Sequence, residues 1–137
     1  LPTHLFTREA FALVRGRLRR GGVFAMNIES IGWRSEVVDA ITATLAKHFE
    51  HRMVLPVDDE PEGLTNLVVL ASDQPIRVPR RLSGPFADDQ ANAWRRRYVP
   101  DREGVVLSDD FSPLDRWSEG INLASRRDGT PMAGLAW

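Results

Sequence analysis

The pattern opens on a helix where an α/β sheet would open on a strand, and this order constrains the fold more than any single motif. Thr7 is a plausible N-cap. Phe6 before it and Phe11 four residues after it fit a hydrophobic staple. Phe11, Val14 and Leu18 then share one helical face. Arg19 and Arg20 suit the negative end of a helix, and Gly21 suits its stop. Val23 to Ile28 follows as an apolar run without alternation, as expected of a strand covered on both faces.

A polar turn is expected over Glu29 to Gly32, then a second helix from Trp33 to Phe49. Val37, Val38, Ile41, Leu45 and Phe49 form its apolar stripe. Arg52 to Val57 and Asn66 to Ala71 read as strands. The acidic loop between them, residues 58–63, is too short for a crossover helix, so these strands should be antiparallel neighbours. The order helix, strand, helix, strand, strand implies an α/β sheet that lacks the strand its first helix should have followed. A start on Leu1 rather than Met fits a processed product or a fragment. Residues 1–73 therefore read as part of a truncated domain. Residues 74–137 read as an irregular connection and tail, with a short helix near Asp88 to Arg97, a short strand over Val105 to Leu107, a turn from Asp109 to Pro113, and weak patterning around Gly120, Gly129, Pro131 and Gly134.

Composition narrows the partners. The net charge is -1, so bulk charge favours neither nucleic acid nor a membrane surface. The absence of cysteine excludes disulfides, thiolate metal sites and a cysteine nucleophile. It is compatible with a cytoplasmic location. No run approaches a membrane span. His48 and His51 are three apart without a third ligand nearby, so no metal site is expected. No dinucleotide, Walker or nucleophile-elbow motif occurs.

Several polar residues could still carry chemistry. Ligands of doubly wound sheets bind at the carboxyl ends of strands. Asn27 and Glu29 are expected there, facing the same crevice as Leu5. An amide oxygen and a carboxylate could receive a protonated amine, although polar residues before a helix more often cap it. Asp109 and Asp110 could act as acid or base, or simply hold a turn. Asp58, Asp59, Glu60 and Glu62 could draw a cation or polyamine, but a solvated loop is the plainer reading. Arg95, Arg96 and Arg97 could meet phosphate, but a solvated helix face suits them better.

Three stretches resemble the later part of the spermidine synthase family, the polyamine aminopropyltransferases. LPTHLFTREAFALVRGRLRRGGVFAMNIES is similar to the family's helix and fifth strand. EPEGLTNLVVLAS is similar to its last hairpin. VVLSDDFSPLD resembles the ending of bacterial spermidine synthase-like proteins, including some fused to membrane transporters. The resemblance covers about residues 1–73 and 105–115.

It implies a partial Rossmann-like methyltransferase fold with the N-terminal half missing. It also implies an enzyme that uses decarboxylated S-adenosylmethionine as co-substrate and a small-molecule diamine as acceptor. A diamine nitrogen attacks the carbon next to the sulfonium, while an aspartate keeps that nitrogen unprotonated. Holding both partners in line supplies much of the rate. In the family the Gly-rich cofactor loop, the acidic ribose ligand and the catalytic aspartate precede the position of Leu1, so no catalytic residue is assigned here and the chain alone is expected to be inactive. Asn27 falls where the family usually carries Gln near the substrate amine, and Glu29 falls on a matching Glu. With Asp109 and Asp110 these are the substrate-binding candidates; Leu5 is the candidate on the cofactor side. The Gln-to-Asn shortening and the Asp-Asp-Phe-Ser-Pro ending both depart from spermidine synthases proper.

Two other readings fit the same residues. One is a fragment of a small-molecule S-adenosylmethionine-dependent methyltransferase. The other is a non-catalytic half-fold that assembles with itself. Loss of the strand beside Val23 to Met26 should leave unpaired backbone groups, so the chain should pair with another copy, with the missing half, or with its own tail after Val105.

Overall fold

The structure, a computed structural model, describes residues 2–127. Leu1, Gly129, Pro131 and Gly134 lie outside the described residues. A short 3-10 turn, Thr3–Leu5, leads into α1, Arg8–Arg17. The Thr7 side chain caps α1, its Oγ1 accepting from the Ala10 amide at 3.2 Å. Phe6 and Phe11 are both buried, as the staple requires. Gly21, at φ 76°, makes the turn into the first strand.

That strand, β1, runs Val23–Ile31, three residues past the expected end. Glu29 and Ser30 do not break it because the polar atoms have partners. Ser30 is fully buried, and its hydroxyl donates to the Gly32 carbonyl at 2.9 Å and lies 2.7 Å from the Ser35 hydroxyl. Ser35 caps α2, Glu36–Leu45, by accepting from the Val38 amide. The helix is shorter at both ends than the apolar stripe suggests: residues 32–35 are spent on the turn and cap, and Lys47 to Phe49 close its end with turn bonds to Thr44 and Leu45.

β2, His51–Pro56, and β3, Leu64–Ser72, complete a sheet of order β1-β3-β2. Both outer strands are antiparallel to β3, so they are parallel to one another. Val23 pairs with Ser72 and Ile31 with Leu64 across the first ladder; His51 pairs with Ser72 and Pro56 with Leu67 across the second. The strand enclosed by neighbours is therefore β3. β1 departs from the expectation of burial on both faces: it alternates, with Ile28 and Ser30 at 0% exposure but Val23 at 48% and Ile31 at 43%. Its far edge pairs with no described strand, and residues 106–127 do not fill it.

The core lies between the sheet and the helices and gathers Phe11, Ile28, Val38, Ile41, Leu45, Phe49, Leu67 and Val69. Segments after residue 73 enter the same core. α3, Ala87–Arg96, packs on β2 near its expected position. Val105 to Leu107 is not a strand. Leu107 instead bridges two helices, its amide donating to Thr44 Oγ1 and its carbonyl accepting from the Arg8 amide, both at 2.9 Å. α4, Leu114–Arg127, replaces the expected unpatterned tail and buries Leu114 and Ile121.

Tyr98 closes the outer edge of β2. Its amide and carbonyl both bond Val54 at 2.9 Å. Its hydroxyl donates to the Trp33 carbonyl, and the Arg34 guanidinium lies 4.5 Å from its ring centroid. Burial pushes the phenol up to about 12, partly offset by Arg34. Neutral phenol is favoured in the folded state, so stability held below the unfolded value near 10 should fall as pH rises towards 12. Tyr98 is the only tyrosine, so alkaline titration at 295 nm should show a midpoint near 12 in folded protein and near 10 in denaturant. A folded midpoint near 10 would contradict this packing.

Candidate functional site

The five odd-numbered residues of β1, from Val23 to Ile31, alternate away from the helix layer. Their ladder partners Ser72, Leu70, Val68, Asn66 and Leu64 share that outer face. Towards β2, Leu55 is buried while His51 and Met53 are half-buried. On the β1 side the face is open, with Val23, Ala25, Asn27 and Ile31 exposed. Asn27 and Glu29 thus share one accessible face.

Their position differs from the expected one. Asn27 is the fifth residue of the nine in β1, opposite Val68, rather than at the strand's carboxyl end. Glu29 lies nearer that end, opposite Asn66. The Asn27 amide donates to Asn66 Oδ1 at 3.2 Å. This leaves the Asn27 carbonyl oxygen to accept from a ligand, beside the Glu29 carboxylate. Asn66 is the third polar member of this group. The sequence marked it only as a strand start, since its place depends on a pairing 39 residues distant.

Asp109 and Asp110 stand elsewhere, at the N-terminus of α1. Asp109 accepts from Thr7 Oγ1 at 2.7 Å, and its own amide donates to Glu9 at 3.1 Å. Arg8 alongside holds the Glu9 carboxyl below its ordinary range, chiefly through the hydrogen bond between them. Asp109 is therefore a latch fastening the 107–111 turn to the helix. With Asp110, Thr3, His4 and Asp115 it lines an open recess of about 500 Å³, whose walls include neither Asn27, Glu29 nor Leu5. Leu5 is 53% exposed in the turn before α1.

Four of the remaining candidates have partners within the fold. In the 58–63 loop, Asp58 accepts from the Asn66 amide, Asp59 pairs with Arg96 at 3.5 Å, and the Pro61 and Gly63 carbonyls receive the Trp33 and Gly32 amides. Arg96 and Arg97 also donate to the carbonyls of Val57 and Trp94. Gly32, the positive-φ glycine between β1 and α2, is covered by Pro61, whose carbonyl would lie 3.2 Å from an added Cβ.

Two parallel outer strands around a reversed central one, with helices leading into β1 and linking it to β2, define a partial Rossmann-like methyltransferase fold of the spermidine synthase type. A solved structure of this kind is a probable spermidine synthase from Corynebacterium glutamicum: it is 17% identical, superposes with a TM-score of 0.59, and is matched over 82% of this chain and 44% of its own length. The likeness shows the fold, and the chain spans less than half of that neighbour. No protein-family profile matches the sequence, and no curated protein matches it. No helix among the described residues is long and apolar enough to cross a membrane.

Proposed function

We propose that this chain is the second half of an aminopropyltransferase-like domain, contributing the amine-binding wall of a site that a first half completes. The observation that carries this reading is the exposure of β1. Its far edge pairs with no described strand, its outer face is exposed at Val23, Ala25, Asn27 and Ile31, and Asn27 and Glu29 stand on that face. A first half would add a strand to the edge and cover the face. It would bring decarboxylated S-adenosylmethionine and an aspartate against a diamine. The Glu29 carboxylate would hold one ammonium group, and the Asn27 carbonyl oxygen would orient it. The other amine, kept unprotonated, would attack the carbon next to the sulfonium and displace the thioether.

Alone, the chain should give no measurable heat when titrated with decarboxylated S-adenosylmethionine in calorimetry, because the contacts that hold the cofactor in this fold, a Gly-rich turn and an acidic ribose ligand, are not among its motifs. Micromolar binding would overturn the assignment of cofactor contacts to the other half. The decisive test uses the coding sequence upstream of Leu1. The reading expects a Gly-rich strand–turn–helix unit there, and expects the joined protein to transfer an aminopropyl group to 1,4-diaminobutane, with Glu29→Gln raising KM for the diamine at least tenfold. Methyl transfer instead of aminopropyl transfer would favour the methyltransferase reading. Light scattering on this chain alone supplies the third arm: a stable dimer with no complementing half encoded upstream would favour a self-assembling half-fold.

A further inference from the structure

We propose that the recess between the C-terminal turn of α2 and the 100–106 segment binds a small oxyanion, a phosphate or carboxylate group. The recess measures about 340 Å³, and its charged walls are Lys47, Arg52, Arg102 and Glu103. Three cations thus face one carboxylate, in a chain whose overall net charge is -1. No ion pair among the described residues neutralises any of the three.

Each cation has a different setting, and one has no counter-charge among the described residues. Lys47 follows the last turn of α2, where a positive charge complements the helix dipole. Arg102 reaches the Arg34 carbonyl at 3.5 Å and lies close enough to Asp39 to lower that carboxyl's burial-raised pKa. Arg52 is partly buried. Its Nε is enclosed without a partner, and the guanidinium's hydrogen bond to the Phe49 carbonyl stands at 3.5 Å. Burial alone depresses its pKa, with no carboxylate acting against it. A guanidinium drawn out of water without a counter-charge is unfavourable, and its planar fork suits an oxyanion better than any other partner. Because Nε is enclosed, the terminal nitrogens would meet the ligand.

The opposite wall is set by Gly104. A Cβ there would lie 2.3 Å from the Asp39 carbonyl oxygen, so the 100–106 segment lies directly on the α2 backbone and brings Arg102 to the recess. Neither Asn27 nor Glu29 lines this space, and the inference stands apart from the aminopropyl-transfer reading.

The test is an amide-detected NMR titration of the chain at low ionic strength, with inorganic phosphate in one arm, citrate in a second and chloride at matched ionic strength in a third. Saturable shifts at Arg52, Arg102 and Gly104, with Kd on the order of 1 mM, are expected for phosphate or citrate and not for chloride; the stronger arm identifies the ligand class. Arg52→Gln should weaken binding at least tenfold, and Glu103→Gln should tighten it about threefold by removing the opposing charge. Should Arg52→Gln not fold, Arg102→Gln serves in its place with a loss of about threefold or more. Equal shifts in chloride, no saturation in any arm, or unchanged affinity in the folded arginine variants would overturn the proposal.

Discussion

Gly104→Ala should destabilise the protein by about 3 kcal/mol, near the upper end for overpacking against a rigid neighbour. The added Cβ would lie 2.3 Å from the Asp39 oxygen, 2.4 Å from its carbonyl carbon and 2.8 Å from the Ala40 nitrogen. These are backbone atoms inside α2, so no side-chain rotation relieves the clash. The 100–106 segment must lift, and the strain passes to Leu107, whose amide and carbonyl hold α2 to α1 through Thr44 and Arg8. A urea midpoint lowered at unchanged m-value is the expected signature. Gly16→Ala is the control. Gly16 lies within α1 with nothing within 4 Å of its added Cβ, so the same substitution should stabilise by about 0.5–1 kcal/mol. A Gly104→Ala protein as stable as the parent would show that the segment does not lie on α2 as described.

The elements legible in the sequence were those whose signals are local. The Thr7 cap, the Phe6–Phe11 staple and the stripe Val37, Val38, Ile41, Leu45 each lie within a few turns of chain, and each stands in the structure. The antiparallel relation of β2 to β3 followed from a loop too short for any other connection. Errors arose where tertiary partners decide. Glu29 and Ser30 look like a turn, yet they extend β1 because β3 continues to Leu64 opposite them and Ser35 answers the buried Ser30 hydroxyl. Leu114, Trp117 and Ile121 do carry helical spacing, but Gly120 obscured it; packing against β1, β3 and α2 outweighs its poor propensity.

The grouping of the candidate residues was only partly legible. Asn27 and Glu29 share a face because both lie in β1, whereas the sequence reading placed Glu29 in the turn after the strand. Their separation from Asp109 and Asp110 could not be read, because Asp109 is fixed by a hydrogen bond spanning 102 positions to Thr7. The burial state of β1 was misjudged for a related reason. An apolar run such as Val23 to Ile28 is compatible with cover on both faces, and here the outer face is exposed at Val23, Ala25 and Ile31. The basic recess was invisible to sequence reading, because Lys47, Arg52 and Arg102 meet only after the chain crosses the sheet and returns over α2.

Phe49→Ala should have the largest effect of any single core substitution, a loss of about 4 kcal/mol. Phe49 is 2% exposed and follows the turn that closes α2. Its ring stacks on Phe24 of β1 at 6.3 Å and 16°, and Phe24 in turn meets Phe11 of α1 at 6.1 Å and 58°. This chain of three rings ties α1 and the turn after α2 to the strand that has one described neighbour. Truncation removes the buried area, leaves a cavity and breaks the stack, against a total stability of about 5–15 kcal/mol for a domain of this kind. Phe49→Leu, which keeps most of the volume, should cost less than about 1.5 kcal/mol. A double-mutant cycle between Phe49→Ala and Phe24→Ala should show coupling of about 0.5–1.5 kcal/mol from the ring pair. The location of the damage is as informative as its size. β1 is held by β3 on one edge and by this aromatic layer on one face, whereas β2 is also closed by Tyr98 and α3. Native-state hydrogen exchange on Phe49→Ala should therefore speed the amides of Val23 to Ile28 more than those of Met53 to Leu55. Uniform acceleration across both strands would mean that the three-stranded sheet opens as one unit, and that β1 is not the weakly held element from which the proposed completion by a first half starts.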